Sequence, residues 1–335
     1  MPHLPQALFV GRNITGMTKI TILTILLSLY FVKSYSQKYS IDEVFNKKYI
    51  GSVISKGDNF PDFGVRNDSM NLFLICLHND ITQAEFQKKV KFDNQKMQNV
   101  IQLLKTKNWL HEVDNKIKPS IFIATKYDGE ALYKYAKPIS EDIAKLIKRR
   151  LPEIEAKFSE TDIAKRQSFK EWDFLVLSDV LLDNWQIFDV EKGFLGASAR
   201  PIRHGMNYYA SFFEQTTDRE GFNIYGNQYG KISVYGNNRS IADLTDSKYS
   251  VNEHDNIIFS EIAKKNLPDL VGILNKHKNY SKKAYKKLGY SKEITFEEFY
   301  IWWYHFIYTQ ATDIMNENKT LTVPKDGNFV YRLWE

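Results

Sequence analysis

Phe169-Lys-Glu-Trp-Asp-Phe-Leu-Val-Leu-Ser-Asp-Val-Leu-Leu-Asp-Asn-Trp185, Arg200-Pro-Ile-Arg-His-Gly-Met-Asn-Tyr-Tyr-Ala-Ser-Phe-Phe-Glu214 and Gly221-Phe-Asn-Ile-Tyr-Gly-Asn-Gln-Tyr-Gly230 follow one another in the middle of this 335-residue chain. In the first run Phe174, Leu175, Leu177, Val180, Leu181 and Leu182 crowd a helix from which Asp173, Asp179 and Asp183 emerge. Asp179 and Asp183 are four apart, so their carboxylates can share a face, either solvated or set for a cation or for acid–base work. Downstream, Phe188-Asp-Val190, Asn223-Ile-Tyr225 and Ile232-Ser-Val-Tyr235 read as strands separated by Gly221, Gly226, Gly230 and Gly236. A helix followed by short antiparallel strands makes residues 158–335 an α+β module.

The same stretch concentrates charged, aromatic and glycine residues, and a ligand site is expected there. Arg200 and Arg203 suit a carboxylate or phosphate. Tyr208, Tyr225, Asn227 and Tyr229 would supply stacking and polar contacts, and His204 or Glu214 would be the acid–base group of an enzyme. A binding module would use the same surface without turnover. Arg203-His204-Gly205 is similar to the core signature of the histidine phosphatases, and His254-Asp255 to that superfamily's later His-Asp pair at a helix start. The resemblance implies a phosphorylated His204, a phosphate-binding Arg203 and a proton-donating Asp255. Ala197-Ser-Ala-Arg-Pro201 stands where the strand before such a triplet belongs, and about 50 residues separate the two motifs, few for the intervening crossovers. The seven histidines never fall at ligand spacing within one helix, so no metal site and no cofactor is assigned.

Upstream, apolar Leu72-Phe-Leu-Ile-Cys-Leu77 precedes Asp80-Ile-Thr-Gln83, read as a helix cap. Asp93 opens a second helix in which Met97, Val100, Ile101 and Leu104 share one face. A short strand, a turn at Asp114-Asn115, the strand Ser120-Ile-Phe-Ile-Ala-Thr125 and a further helix follow. Three helices with a two-stranded wing resemble a winged-helix domain of bacterial transcription regulators, the resemblance covering residues 70–135 of a module at 70–157 that follows an extension at 37–69. Asn94, Gln95, Lys96, Gln98, Asn99, Gln102 and Lys105 would line the open face of the second helix. Amides and lysines of this kind can contact bases and phosphates, which keeps a DNA-binding regulator as the alternative. The face carries no arginine, and it serves equally as a solvated scaffold or protein contact surface. Pro138 is expected to precede a separate charged helix over residues 140–157, and the polar residues 158–168 to close the module.

Residues 1–36 hold Arg12, Lys19 and Lys33 and no acid, around the apolar run Ile20–Phe31. That run is too short to span a bilayer, and Ser34-Tyr-Ser36 offers small residues to a signal peptidase. A signal peptide cleaved before Gln37 is expected, with Met17 as the true start, leaving an exported, periplasmic or extracellular protein without a transmembrane segment. A signal ending at Gln with a body rich in Lys, Asn and Tyr is similar to exported proteins of Bacteroidetes-type bacteria. Export argues against a nucleic-acid partner and for a polar or anionic small molecule or a protein. Removing residues 1–36 leaves 43 basic against 40 acidic side chains and lowers the net charge from +6 to +3, too even a balance to call for a polyanion. The single cysteine, Cys76, reads as a small buried hydrophobe and forms no intramolecular disulfide.

At the C-terminal end, Leu267–Leu274 and Ser281–Leu288 read as two short helices. Thr295-Phe-Glu-Glu298 is a capping box opening an aromatic helix through Ile314 that plugs a core and takes His305 with it. Leu321–Tyr331 reads as a hairpin around Lys325-Asp-Gly327.

Overall fold

The computed structural model describes residues 38–64, 68–183, 185–196, 200–215, 225–236 and 248–333; the expected signal segment lies outside them. The organising element is a strand that periodicity misses, β7 (Tyr209–Glu214), whose six residues are all buried. Strand β1 (Tyr49–Ile54) pairs with it antiparallel, from Tyr49 opposite Glu214 to Ile54 opposite Tyr209. Strand β4 (Phe122–Ala124) pairs with it in parallel on the other edge. A strand covered on both faces reads as a continuous apolar run, without the alternation that marks a half-exposed one.

This three-stranded sheet is a wall between two cores. Ile121 and Ile123 of the β4 segment, and Tyr208, Ala210 and Phe212 along β7, point into the first core. Phe122, Ala124, Tyr209 and Phe213 point into the second, as the two-residue period of a strand requires. The cores therefore divide at the sheet, and residues 122–158, sequentially part of the first module, pack into the second core.

The first core is built from α1 (Ile41–Phe45), α2 (Asp68–His78), α3 (Gln83–Val90), α4 (Asn94–Thr106) and the hairpin of β2 (Leu110–Val113) and β3 (Lys116–Pro119). Helix α3 is capped by Thr82 with Glu85, while Asp80 takes a left-handed backbone. The Asp93 carboxylate accepts the Lys96 N–H at 2.7 Å and starts α4. Met97, Ile101 and Leu104 bury one stripe of α4, leaving Asn94, Gln95, Lys96, Gln98, Asn99 and Gln102 exposed. Asp114 and Asn115 both have positive φ, the backbone of a type I′ turn that matches strand twist.

The second core centres on α5 (Lys126–Phe158) and α10 (Phe296–Glu317), with α8 (Glu253–Lys276) and α9 (Lys278–Lys287) beside them. Helix α5 is continuous through Pro138 and Pro152, so the separate helix expected over residues 140–157 is its C-terminal half. Lys134 and Lys148, four residues before those prolines, lie on its exposed side. Helix α10 is apolar on all sides and accordingly buried on all sides. Trp303 donates to the Leu132 carbonyl at 2.9 Å, and the Ser140 hydroxyl donates to that of Ile307 at 2.8 Å, locking α10 to α5.

Four local expectations change. Helix α6 (Phe169–Phe174) continues as a π-helix over Leu175–Val180. Phe188-Asp-Val190 lies in a helix, α7 (Ile187–Val190), because Ile187 and Val190 pack onto the second core while Phe188 stays exposed. The two short helices expected from Leu267 onward are instead the end of the continuous α8 and the separate α9. The Lys325 turn leads into one strand only, β11 (Asn328–Leu333), which pairs antiparallel with β9 (Ile232–Gly236) and in parallel with β10 (Ser250–Val251). Before that turn the Thr322 N–H is taken by the Asp173 carboxylate at 3.0 Å instead of a ladder partner. Strand β8 (Tyr225–Tyr229) completes this second sheet, so helix and sheet elements combine as an α+β fold.

Candidate functional site

Of the residues expected to form a ligand site, Arg200, Arg203, His204, Tyr208 and Glu214 each have partners within the chain, although Arg200 Nη1 and Arg203 Nε have no acceptor among the described residues. Arg203 forms a tiny hairpin with β5 (Ile202–Arg203) and β6 (Met206–Asn207), and His204-Gly205 is its two-residue turn, with φ of +51° and +85°. The Arg203 side chain turns inward, where it is 2% exposed. Its Nη2 meets both Glu298 oxygens at 3.0 and 2.9 Å and the Ser120 carbonyl, and its Nη1 donates to the Tyr208 carbonyl at 2.9 Å. Burial pushes the Glu298 carboxyl above its usual range, with Arg203 opposing the shift. Glu298 thus completes half of the expected capping box: its N–H reaches Thr295 at 3.2 Å, but its carboxylate is spent on Arg203.

His204 turns outward instead. Its Nδ1 lies 2.8 Å from Asp62 and 2.9 Å from Lys107 Nζ. Arg200 makes a bidentate pair with Glu191 at 2.9 and 2.7 Å. The Tyr208 hydroxyl accepts from Trp109 Nε1 at 3.0 Å. Glu214 accepts from the Tyr39 hydroxyl and the Lys126 N–H, both at 2.7 Å. Tyr225, Asn227 and Tyr229 lie in β8, but their side chains lie outside the described residues. Asp255 sits at the start of α8 with its carboxylate accepting the N–H groups of Asp162, Ile163 and Asn252, so it serves as a cap. His204, Arg203 and Asp255 are therefore held by three separate sets of partners.

A different place is open to a ligand. A cavity of about 580 Å³, within the usual size of small-molecule sites, opens between β1 and the β8–β9 ladder. Its lining includes Trp302 and His305 of α10, Tyr331 of β11, Phe213, Ser233, Gly226, Gln228 and Asp183, with Phe60 and Phe188 beside them. No lysine or arginine is among the described lining residues. Trp302 is 2% exposed, and its Nε1 has no acceptor among the described residues. Nδ1 of His305 lies 2.8 Å from the Ile301 carbonyl, which can only accept, so Nδ1 carries a proton and donates it there.

Asp183 reaches this cavity because of the π-helix. One turn of i→i+5 bonding shifts the helical phase, and Asp179 and Asp183, which a 3.6-residue period brings to a solvated face, are both buried. The Tyr308 hydroxyl hydrogen-bonds Asp183; burial, then that carboxylate, pushes the phenol well above its ordinary value and keeps it a donor. Behind it the Ser178 hydroxyl joins the hydroxyls of Tyr235 at 2.5 Å and Thr312 at 2.6 Å. Asp183 was legible in the sequence as one of an acidic pair. Trp302 and His305 were legible only as core aromatics.

Two other polar groups are structural. His78, at the end of α2, is buried between Glu293 at 2.7 Å on Nδ1 and Asp128 at 3.1 Å on Nε2. Burial alone would lower its pKa, but Glu293 and Asp128 outweigh it and the net shift is upward. Asp128, despite burial, is held down to about 2 mainly by His78. Asp162, His254 and Asp255 bring ligand atoms within 4.8 Å of one another. The Asp162 carboxylate, however, is occupied by Lys165 at 2.6 Å and Asn252 at 3.0 Å, and that of Asp255 by the three N–H groups above. No described helix is long and apolar enough to cross a membrane. Comparison with family models, with curated proteins and with solved structures finds no match for this chain.

Proposed function

We propose that this chain is an exported binding protein for a polar small molecule, held in the cavity between β1 and the β8–β9 ladder. The observation that carries the reading is the cavity itself, walled by buried Asp183 and Trp302 and bordered by the exposed side chains of Phe60 and Phe188. Arg200 and Arg203 are neutralised by Glu191 and Glu298, so the favoured ligand is one that donates and accepts hydrogen bonds, not an anion. Helices α2, α3 and α4 and the β2–β3 hairpin pack in the first core, across the β7 wall from α10, and form a winged-helix-like platform for protein contact.

Thermal melts against a panel of polar metabolites test the reading. A ligand at a hundred times its Kd stabilises by about 2.7 kcal/mol. Gly226 lines the cavity and a Cβ built there meets nothing within 4 Å, so Gly226→Trp is expected to fill the site and abolish the shift. A shift that survives in Gly226→Trp, or a panel without any shift, removes the proposal. The acid-free, amide- and lysine-bearing face of α4 supports a second reading, duplex binding. It requires affinity that falls steeply with salt and weakens in Lys96→Ala.

A further inference from the structure

We infer that the ligand of this cavity is a neutral saccharide, an inference that rests on the cavity being the binding site. Phe60 and Phe188 are 54% and 48% exposed, and both rings line this cavity. Aromatic side chains normally bury most of their area, so two open rings beside one cavity leave apolar surface for a ligand to cover. Phe188 is also held in place. The Arg200 guanidinium lies 5.0 Å from its ring centroid, and Arg200 is fixed by its two bonds to Glu191. Ordering that ring in advance spares the ligand the entropy of doing so.

The rest of the lining mixes further rings with groups of both hydrogen-bonding senses: Asp183 accepts, and Gln228 and Ser233 do both. A sugar ring matches this mixture of surfaces: its C–H faces are apolar, while each hydroxyl both donates and accepts. An anionic ligand would meet Asp183 with no lysine or arginine among the described lining residues. An organic cation would suit Asp183 and the rings, but it would use only the accepting side of Gln228 and Ser233.

Isothermal titration of the full chain decides the matter, with glucose, galactose, mannose, N-acetylglucosamine and their α- and β-linked dimers as probes. Tetramethylammonium, spermidine and glucuronate run in parallel. At least one neutral saccharide is expected to bind. Phe188→Ala, an exposed position whose folding is checked by its melting curve, weakens it about tenfold, or about 1.4 kcal/mol, and Gly226→Trp abolishes it. Binding of the cations or glucuronate alone, lost in Gly226→Trp, overturns the saccharide and leaves the cavity reading standing. Saccharide binding unchanged in both Phe188→Ala and Gly226→Trp places the sugar elsewhere and overturns the inference. No binding by any probe, together with no thermal shift from the polar-metabolite panel, overturns both.

Discussion

Replacing Glu298 by Gln isolates what the buried Arg203 pair does. Both side chains are 2% exposed, and the guanidinium touches both Glu298 oxygens as well as two backbone carbonyls. The amide keeps the shape but removes the negative charge, leaving a buried guanidinium that cannot give up its proton. Breaking one side of such a pair costs about 3–5 kcal/mol. At about 2–4 °C per kcal/mol for a chain of this order of size, the melting temperature should fall by roughly 6–20 °C. Arg203→Met should be milder at acid pH than at alkaline pH, since the orphaned Glu298 carboxyl, already raised by burial, takes up a proton. The double variant Arg203→Met with Glu298→Leu should regain most of the loss, because both desolvation penalties vanish together. Thermal and urea melts of the four proteins supply the cycle. If Arg203 is instead kept for an external anion, Glu298→Gln will melt within about 2 °C of the parent, and added phosphate will stabilise it; that result refutes the structural reading.

Four further outcomes are expected. His78 has a raised folded-state pKa, so its stabilisation is complete below the ordinary histidine value of about 6.5 and lost as pH rises through the folded value; melts on the alkaline side should show this decline, and His78→Ala should flatten it. Asp128 works on the opposite limb, stabilising above the ordinary carboxylate value of about 3.9 and losing its effect as pH falls toward about 2, so Asp128→Asn should shrink the acid-side slope of the same melts. At Gly236 a Cβ would run into the Gly327 carbonyl oxygen and the Asn328 backbone, so Gly236→Ala should cost about 1–3 kcal/mol in urea unfolding by prising β9 from β11, and an unchanged midpoint contradicts that packing. Cys76 is fully buried and its thiol is pushed up to about 12 by desolvation, so a thiol reagent at neutral pH should label it only after denaturation; rapid labelling of the native protein would contradict this.

Local chemistry made much of this chain legible from sequence. Asp93, the stripe of Met97, Ile101 and Leu104, and the positive-φ pair Asp114-Asn115 each act through neighbours a few residues away, and so do helix caps and turns in general. The aromatic helix that ends near Ile314 was likewise marked as core by its own composition. Where readings shifted, the partner was distant. Asp80 resembled a cap, but Thr82 holds the better geometry; Tyr209–Glu214 has no period because its two faces are covered by the two cores, while the partner on one edge, Tyr49–Ile54, lies more than 150 residues away in sequence. Arg203 and His204 are adjacent in sequence, and only the fold shows that one turns in to Glu298 and the other out to Asp62. Asp183 was visible as an acid, yet its burial depends on a π-helix whose register is set by tertiary packing, and its neighbours Trp302 and Tyr331 come from more than 100 residues downstream. Sequence alone determined the helices, their caps and the α+β class, since these are decided by contacts a turn or a hairpin apart. Only the tertiary structure decided which charges neutralise one another and where a cavity remains, because charge pairing and unfilled space depend on distances between groups that the chain brings together from opposite ends.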